Sequence, residues 1–514
     1  ADHTPDVHAV AFADGSLVRV VGTISNSSSS WVDGSAGFTY LGGCGNEEGA
    51  SADAGPIPPN GIGYFAFSRQ LGAARSAEDI YAAIEYHLAN LVRRKVVLFG
   101  GGSTLYALDA LTGARLASVD LDPREPDVKA RQAASPPDVE IESSPAVVGD
   151  RVFIGMDVHN RAATGRTGLV SLRLANTGPD AWAFEPQWKF DPETSAVYTG
   201  PGLLTEGSGQ GFGCGGVWSS PAIDTAQGLI FFGTANCNNV EEARAASENW
   251  AESTYAIRLD TGALVWKYRP AEADFDTVEE QNAEAHADDD FGASPNILRL
   301  LDGRTLWGNG RKSATYYAFD TGSDRTAPIK PLWETKAGQS GRVGENFSIG
   351  GFLGTPAVQR DDDGKAVRVV GATAVPIPDQ SDFPGSIDRS TWAVRAMDPE
   401  TGKIQWVHRL GAPAYGAPTI ANGVVFVPNT FTATLQALDA ETGLLLWAGA
   451  VPPSSSAPAV VGDSVYLGGG TRETDAEYKS FRDTGLDTQA LASVVGPHPL
   501  SPASGIFAFE LAGS

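Results

Sequence analysis

The sequence predicts an all-β protein folded as a β-propeller, and the first observation behind this prediction is a recurring turn. A turn of the form Asp-Thr-Gly or Asp-x-x-Thr-Gly ends at Gly113, Gly262, Gly322, Gly402 and Gly443. Each turn lies between two runs of β-forming residues. Glycine adopts positive φ in such a turn and aspartate bonds its own backbone, which is typical of a β-hairpin.

Two further repeated features accompany the turn. A short proline segment, Ser-Pro-Ala or a close variant, opens the repeats; its first residues are Ser144, Ser220, Ser294, Thr355, Ala417 and Ala457. A tryptophan follows the turn glycine by four positions at Trp266, Trp406 and Trp447, and we expect these three side chains to pack in the core. Repeats of roughly 40–70 residues made only of short strands are typical of a propeller or a solenoid, and one aromatic side chain per repeat favours the propeller.

The repeats also predict how the chain is organised. Seven are readable; they begin near residues 96, 144, 217, 293, 353, 415 and 457. Residues 1–95 form an N-terminal segment with room for a degenerate first blade, and residues 76–92 predict one helix capped by Ser76. Residues 96–514 hold the remaining blades of a single domain. We expect the last strand, residues 505–511, to pair with N-terminal strands and close the ring.

Charge and hydropathy exclude several classes of partner. The chain of 514 residues carries 62 acidic and 37 basic residues, a net charge of −25. Such a surface repels nucleic acid and anionic membranes. No apolar run approaches the roughly 20 residues that span a bilayer, so we expect neither nucleic-acid binding nor membrane insertion.

The N-terminus and the cysteines indicate the compartment only loosely. The sequence starts at Ala1 without a signal sequence, which fits either a mature exported protein or a trimmed chain. The cysteines, Cys44, Cys214 and Cys237, lack the spacing of a zinc site or of covalently bound haem. One disulfide could form, with Cys214 and Cys237 the favoured pair because they flank a predicted strand. We expect a secreted or periplasmic protein.

Four local stretches resemble a known family. VWSSPAID from Val217, FFGTANCNN from Phe231, DDDFGASPN from Asp288 and GNGRKSATYYAFD from Gly308 are similar, in this order, to the pyrroloquinoline-quinone (PQQ) dehydrogenases. The polyvinyl-alcohol-dehydrogenase-like branch is the most similar, and the resemblance covers roughly residues 93–511. It implies an eight-bladed propeller with PQQ on its axis, in which residues 1–95 supply the first blade.

The resemblance also implies roles for individual residues. Trp218 is similar to the tryptophan whose indole forms the floor beneath the quinone. Asn236 is similar to the amide ligand of a calcium ion, and Asp290 to a carboxylate near the metal that acts as catalytic base. Lys312 is similar to the lysine that reaches the oxygens of PQQ. Calcium prefers six to eight oxygen ligands, which suits these amide and carboxylate groups.

The sequence departs from the family pattern at one metal position. The family's metal-binding glutamate falls near Asn160, within Met-Asp-Val-His-Asn. Asn160 or Asp157 could replace it, although a site with fewer negative charges binds calcium more weakly. No haem motif is present, so electrons would pass to a separate acceptor such as a cytochrome.

These residues favour one function and leave a second open. The first is PQQ- and calcium-dependent oxidation of a secondary alcohol or polyol, with a small or polymeric alcohol as substrate. The second is a cofactor-free propeller that acts as a scaffold or binding protein, which the missing glutamate favours. Trp218, Asn236, Asp290 and Lys312 together favour the enzyme.

Overall fold

The computed structural model describes the strands of the repeat array. The described residues are 7–11, 17–21, 96–110, 113–122, 139, 141–157, 167–178, 181–204, 215–235, 252–270, 290–322, 329–338, 351–373, 392–410, 414–429, 434–452, 454–469 and 505–510. Their secondary structure is β throughout. The predicted helix over residues 76–92 and all three cysteines lie outside these ranges.

The strands follow one another in short antiparallel meanders. In chain order they are β1 Val7–Ala11, β2 Leu17–Val21, β3 Val96–Gly101, β4 Thr104–Asp109, β5 Arg115–Asp120, β6 Ala146–Val148, β7 Arg151–Met156, β8 Gly168–Gly178, β9 Ala181–Asp191, β10 Ala196–Thr199, β11 Ala222–Asp224, β12 Leu229–Gly233, β13 Thr254–Arg258, β14 Leu264–Tyr268, β15 Asn296–Arg299, β16 Thr305–Gly310, β17 Thr315–Asp320, β18 Trp333–Lys336, β19 Ala357–Arg360, β20 Ala366–Ala372, β21 Ala393–Met397, β22 Ile404–Arg409, β23 Thr419–Ala421, β24 Val424–Asn429, β25 Thr434–Asp439, β26 Leu445–Ala450, β27 Ala459–Val461, β28 Ser464–Gly469 and β29 Gly505–Glu510.

These strands form seven blades, which confirms the predicted propeller class. We number the sheets in chain order as blade 1 (β3–β5), blade 2 (β6–β10), blade 3 (β11–β14), blade 4 (β15–β18), blade 5 (β19–β22), blade 6 (β23–β26) and blade 7 (β27–β29). Strands β1 and β2 pair with each other, and β29 pairs with β28. The eighth blade, the boundary at residue 95 and closure by terminal strands stay predictions.

The recurring turn has the conformation that its sequence predicts. Gly262, Gly402 and Gly443 all have φ of +71°, where a side chain would be strained. In blade 5 the amide of Gly402 donates to the carbonyl of Asp398, and the Asp398 carboxylate accepts from the backbone of Thr401 at 2.8 Å. A register shift precedes the turn in blades 1, 3, 5 and 6. The repeated sequence therefore fixes a repeated hairpin.

Tryptophans join successive blades by packing on the next turn. The indole of Trp188 in blade 2 lies against Gly262 of blade 3, and its Nε1 donates to the carbonyl of Asp260 at 3.1 Å. Trp406 packs in the same way on Gly443. Trp266 and Trp406 are buried, as the sequence predicts, but the prediction for Trp447 was wrong, because its side chain is 46% exposed.

A belt of hydrogen bonds runs between the proline segments of blades 2 to 5. The amide of Ser144 donates to the hydroxyl of Ser220 at 2.8 Å, and Ser220 donates to Ser294 at 2.9 Å. Ser294 in turn donates to Thr355 at 2.9 Å. The next proline segment begins at Ala417, which has no hydroxyl to continue the series. The belt holds the inner strands of four blades around a common axis.

Candidate functional site

Three of the predicted site residues lie together beside the belt. The Nζ atom of Lys312 lies 2.8 Å from Oδ2 of Asp290. The same ammonium lies over the indole of Trp218, 5.1 Å from the ring centroid. Trp218 and Asp290 are buried, and the Lys312 side chain is 12% exposed. An aromatic face, a cation and a carboxylate thus share one largely enclosed place.

Backbone hydrogen bonds between blades bring these residues together. The amide of Lys312 donates to the carbonyl of Asp290 at 2.9 Å, which joins the two ends of the ion pair a second time. The amide of Phe291 donates to Thr234 at the end of blade 3, and the amide of Val217 donates to Met156 at the end of β7. The site is therefore built where the ends of blades 2, 3 and 4 meet.

Trp218 is seated against a glycine in the next blade. A Cβ added to Gly292 would lie 2.7 Å from Cη2 of the Trp218 indole. Real Cβ atoms are not found this close to another heavy atom, so a side chain at Gly292 would push the indole away. The Asp-Phe-Gly sequence at residues 290–292 thus supplies the Asp290 carboxylate and, at Gly292, the space that the Trp218 indole occupies.

Lys312 is held by a tight turn between β16 and β17. The amide of Ala314 donates to the carbonyl of Arg311 at 3.0 Å, and the amide of Arg311 donates to Thr315 at 3.0 Å. Ala314 has φ of +62°, a conformation uncommon for residues other than glycine. Unusual backbone conformations of this kind cluster at functional sites, where surrounding contacts maintain them.

The predicted metal ligands are only partly described. The Asp157 carboxylate lies directly against Gly216, two residues before Trp218, where a Cβ would overlap Oδ1. Asn236 and Asn160 lie outside the described residues. Ala235 donates its amide to the carbonyl of Gly216 at 2.9 Å, which places Ala235 beside the same glycine as Asp157. Among the described residues, no group of three or more His, Cys, Asp or Glu side chains is arranged to hold a metal ion.

A buried ion pair behind the site was not foreseen from the sequence. Arg311 Nη2 lies 4.0 Å from Oε2 of Glu252, and each side chain is 1% exposed. The Arg311 guanidinium also lies 5.3 Å from the centroid of the Phe291 ring. Arg311 precedes Lys312 and Phe291 follows Asp290, so this ion pair contacts both chain segments that carry the site.

Glu252 is strained as well as buried. Its φ is +47°, and its amide donates to the carbonyl of Ala235 at 2.9 Å. Nothing in the sequence identifies Glu252 as a site residue, because its partner Arg311 belongs to a different blade. The adjacency of Arg311 to Lys312 is the one signal that could have drawn attention to the pair.

Comparisons with known proteins agree with this architecture. Residues 71–283 match the family described as "Glucose/ethanol/alcohol dehydrogenase, beta-propeller domain". Polyvinylalcohol dehydrogenase of Sphingopyxis sp. (strain 113P3) is 28% identical over 45% of this chain and 35% of the relative. Quinohemoprotein alcohol dehydrogenase ADH IIB of Pseudomonas putida is 26% identical over 69% of this chain and 56% of the relative.

Over part of its length the chain is therefore similar to the PQQ-dependent dehydrogenases.

Two further matches concern other members of the propeller group. Residues 389–482 match the family described as "Outer membrane protein assembly factor BamB". The solved structure of a europium-containing methanol dehydrogenase superposes with a TM-score of 0.55 at 17% identity, covering 81% of this chain and 80% of that one. This likeness supports the fold. The chain spans about a third to a half of the length of the curated relatives named above.

The shape and the charge of the described site suit PQQ, the cofactor of the PQQ-dependent dehydrogenases. PQQ is a planar quinone that carries carboxylates, and the flat indole of Trp218 with a cation above it can contact such a molecule by stacking and by charge. The Asp290 carboxylate lies beside the same face. For a calcium ion, Asp290 and Asp157 offer the hard oxygen atoms that it prefers.

Proposed function

We propose that this protein is a PQQ- and calcium-dependent oxidoreductase that oxidises a secondary alcohol or polyol by hydride transfer to the quinone. The Lys312–Asp290 ion pair over the Trp218 indole is the observation that carries the proposal. A cation, a carboxylate and an aromatic surface that share one largely enclosed position support the proposal.

Each of the three residues has a distinct task in this proposal. The Trp218 indole supports the plane of the cofactor. The Lys312 ammonium stabilises negative charge on the cofactor oxygens as it becomes reduced. The Asp290 carboxylate accepts the hydroxyl proton of the alcohol while the hydride leaves its carbon. Burial strengthens these electrostatic effects because little water competes for the charges.

Calcium binding completes the proposed site. Asn236, Asp290, Asn160 and Asp157 would hold the ion through amide and carboxylate oxygens. When bound, PQQ accepts the hydride and calcium polarises its quinone carbonyl. Gly216 leaves room for the Asp157 carboxylate, which supports the placement of this ligand beside the Trp218 segment.

The proposal includes an outside electron acceptor and an exported location. Electrons would pass from the reduced cofactor to an external acceptor such as a cytochrome. Similarity to the polyvinylalcohol dehydrogenase of Sphingopyxis sp. supports a small or polymeric alcohol as substrate. We propose a secreted or periplasmic location on the family resemblance. In the described residues, no helix is long and apolar enough to cross a membrane.

Reconstitution with PQQ and calcium tests the proposal. Purified protein is loaded with both, and the reduction of an artificial dye is followed with a panel of primary alcohols, secondary alcohols and polyols. We expect alcohol-dependent dye reduction that falls by about 10²–10⁴-fold in Asp290→Asn and by about 10²–10³-fold in Lys312→Met. The exposed residues Asp362 and Lys330 provide matched controls, Asp362→Asn and Lys330→Met, whose activity should equal that of the wild type.

A scaffold function is the second candidate, and the match of residues 389–482 to the BamB family favours it. PQQ binding separates the two proposals without an activity measurement. PQQ titrated in the presence of calcium should quench tryptophan fluorescence in the wild type, and Trp218→Leu should weaken binding. Absence of binding at millimolar PQQ together with no dye reduction would contradict the enzyme and leave the scaffold.

A further inference from the structure

A partly open cavity lies on the axis of the ring, and the proposed reaction does not use it. Its volume is about 520 Å³, and the proline segments of blades 2 to 7 line it. Pockets that bind small organic molecules have volumes of about 300–1,000 Å³. The cavity is therefore large enough for a ligand of several heavy atoms.

The wall of the cavity is mainly neutral and partly apolar. Prolines and alanines alternate with hydroxyl side chains, and Ile420 and Val460 add apolar surface in blades 6 and 7. The hydroxyls of Ser220, Ser294 and Thr355 accept the hydrogen bonds of the belt. Of the described residues that line the cavity, Arg360 alone carries a formal charge.

Arg360 lies at the last position of β19, and several of its guanidinium N–H groups are available to a ligand. It donates to the carbonyl of Ile297 at 2.8 Å and to the carbonyl of Gly364 at 3.2 Å. A guanidinium has five N–H groups, so two bonds to neutral carbonyls leave three for another acceptor. Its carbonyl partners also hold the side chain in place beside the cavity.

No carboxylate neutralises this arginine within the described part of the chain. Burial and, to a smaller extent, the like charge of Arg299 at the last position of β15 in the neighbouring blade lower the pKa of Arg360. The adjacent Asp361 is engaged by the backbone amides of Asp363 and Lys365, at 3.1 and 2.7 Å. Two neighbouring arginines that form no ion pair with a described acidic residue are unexpected in a chain of net charge −25.

The cavity is separate from the site at Trp218. Trp218 precedes Ser220 of the belt by two residues, whereas Arg360 follows Thr355 of the belt by five. Arg360 is among the described residues that line the cavity, and Trp218 is not. A ligand in the cavity therefore need not compete with a cofactor over Trp218.

We propose that the axial cavity binds a small organic carboxylate, with its carboxylate group held by Arg360 and its apolar body against the proline and alanine wall. The charge of Arg299 adds positive potential at Arg360. Arginine suits a carboxylate because its planar fork donates two parallel hydrogen bonds. This binding does not depend on the proposed oxidation of alcohols.

Calorimetric titration of the full chain with sodium benzoate, at constant ionic strength, tests the proposal. We expect benzoate to bind the wild type and to bind Arg360→Gln about 10-fold or more weakly. Arg360→Lys should bind with intermediate affinity because it keeps the charge and loses the fork, and it also guards against misfolding of the glutamine variant. Arg299→Gln should weaken binding by a smaller factor. Arg115→Gln, which changes an exposed arginine on β5, should match the wild type.

Acetate and inorganic phosphate test the two parts of the ligand separately. Acetate should bind more weakly than benzoate because it lacks an apolar body, and phosphate should bind more weakly because it cannot use the apolar wall. Lack of benzoate binding at about 10 mM, equal affinity in all the arginine variants, or phosphate binding without benzoate binding would each overturn the proposal.

Discussion

Blades 3 and 4 and blade 6 are built from the same repeat but are packed differently against their neighbours. Aromatic side chains from blades 3 and 4 form one continuous buried cluster, in which Trp307 contacts Phe231, Trp266 and Phe319 at centroid distances of 5.4, 4.9 and 4.7 Å. In blade 6 the outer strand β26 exposes Leu445, Leu446 and Trp447.

The segments that lead into the inner strands also differ between these blades. Blades 3 and 4 belong to the hydroxyl belt, whereas the proline segment of blade 6 begins with Ala417. Trp218, Asp290 and Lys312 all belong to blades 3 and 4 or to the segments that lead into them. The repeated turn is therefore sufficient to form a blade. The contacts between blades determine where a rigid site can form.

Among the changes considered, truncating the aromatic cluster of blades 3 and 4 should cause the largest loss of stability. Trp307 is fully buried, so Trp307→Ala should lower the free energy of unfolding by about 4 kcal/mol through lost apolar burial and a cavity. Trp447→Ala removes the same side chain from an exposed position and should cost less than about 1 kcal/mol. Urea unfolding followed by circular dichroism measures both. Equal losses would show that the two blades are packed alike.

Removing the carboxylate of the buried ion pair should have the next largest effect. Glu252→Gln leaves Arg311 without its buried carboxylate and should cost about 3 kcal/mol. Glu400→Gln breaks the exposed pair with Arg304 and should cost less than about 0.5 kcal/mol.

PQQ binding adds a second measurement for this buried pair. Because Arg311 precedes Lys312, Glu252→Gln should also weaken PQQ binding, and Glu400→Gln should leave it unchanged. The double variant Glu252→Gln/Arg311→Met should recover part of the lost stability, because it removes the uncompensated charge. If Glu252→Gln is as stable as Glu400→Gln, the pair has no supporting role.

Interrupting the hydrogen-bonded belt should cause a moderate loss of stability. Ser294→Ala removes the hydroxyl that accepts from the Ser220 amide, and we expect a loss of about 1–2 kcal/mol because that amide is buried. Ser118→Ala on the exposed face of β5 is the control and should be neutral. Thermal unfolding of the two variants sharpens the contrast with blade 6, where Ala417 already stands at the equivalent position. A stability equal to that of Ser118→Ala would exclude the belt as a source of rigidity.

A change in the turn of blade 6 should have the smallest effect on stability, and this effect should be seen in how stability depends on pH. The hydroxyl and the amide of Thr442 donate to Asp439 and lower the pKa of this carboxyl from its ordinary value of 3.8. Stability from this group is therefore present above pH 3.8 and is lost as the pH falls through the lower folded value. Asp439→Asn should flatten this small acid-side decline in melting temperature. An unchanged acid profile would contradict the assignment.

Local features of the fold could be predicted from the sequence, and the contacts between blades could not. The Asp398 turn and its Gly402 are fixed by residues four apart, so sequence alone was sufficient. The prediction failed for Trp447 because its burial depends on a neighbouring surface rather than on its own turn.

For the site, the resemblance grouped Trp218, Asp290 and Lys312, whose side chains are neighbours in the structure, and their roles stay a prediction. It gave no indication of Glu252, because a buried charge in one blade has meaning only beside Arg311 in another. The belt has the same property: Ser144 and Ser220 are 76 residues apart, and each looks like an ordinary turn residue by itself. Long-range pairs of this kind carry no periodic signal.

A crystal structure of the protein soaked with PQQ and calcium tests the central claim most directly. We expect a planar ligand stacked on the indole of Trp218, with Lys312 and Asp290 at its edge and a cation bound beside Asp290. A planar ligand bound anywhere else, or an empty place over Trp218 at saturating PQQ, would contradict it.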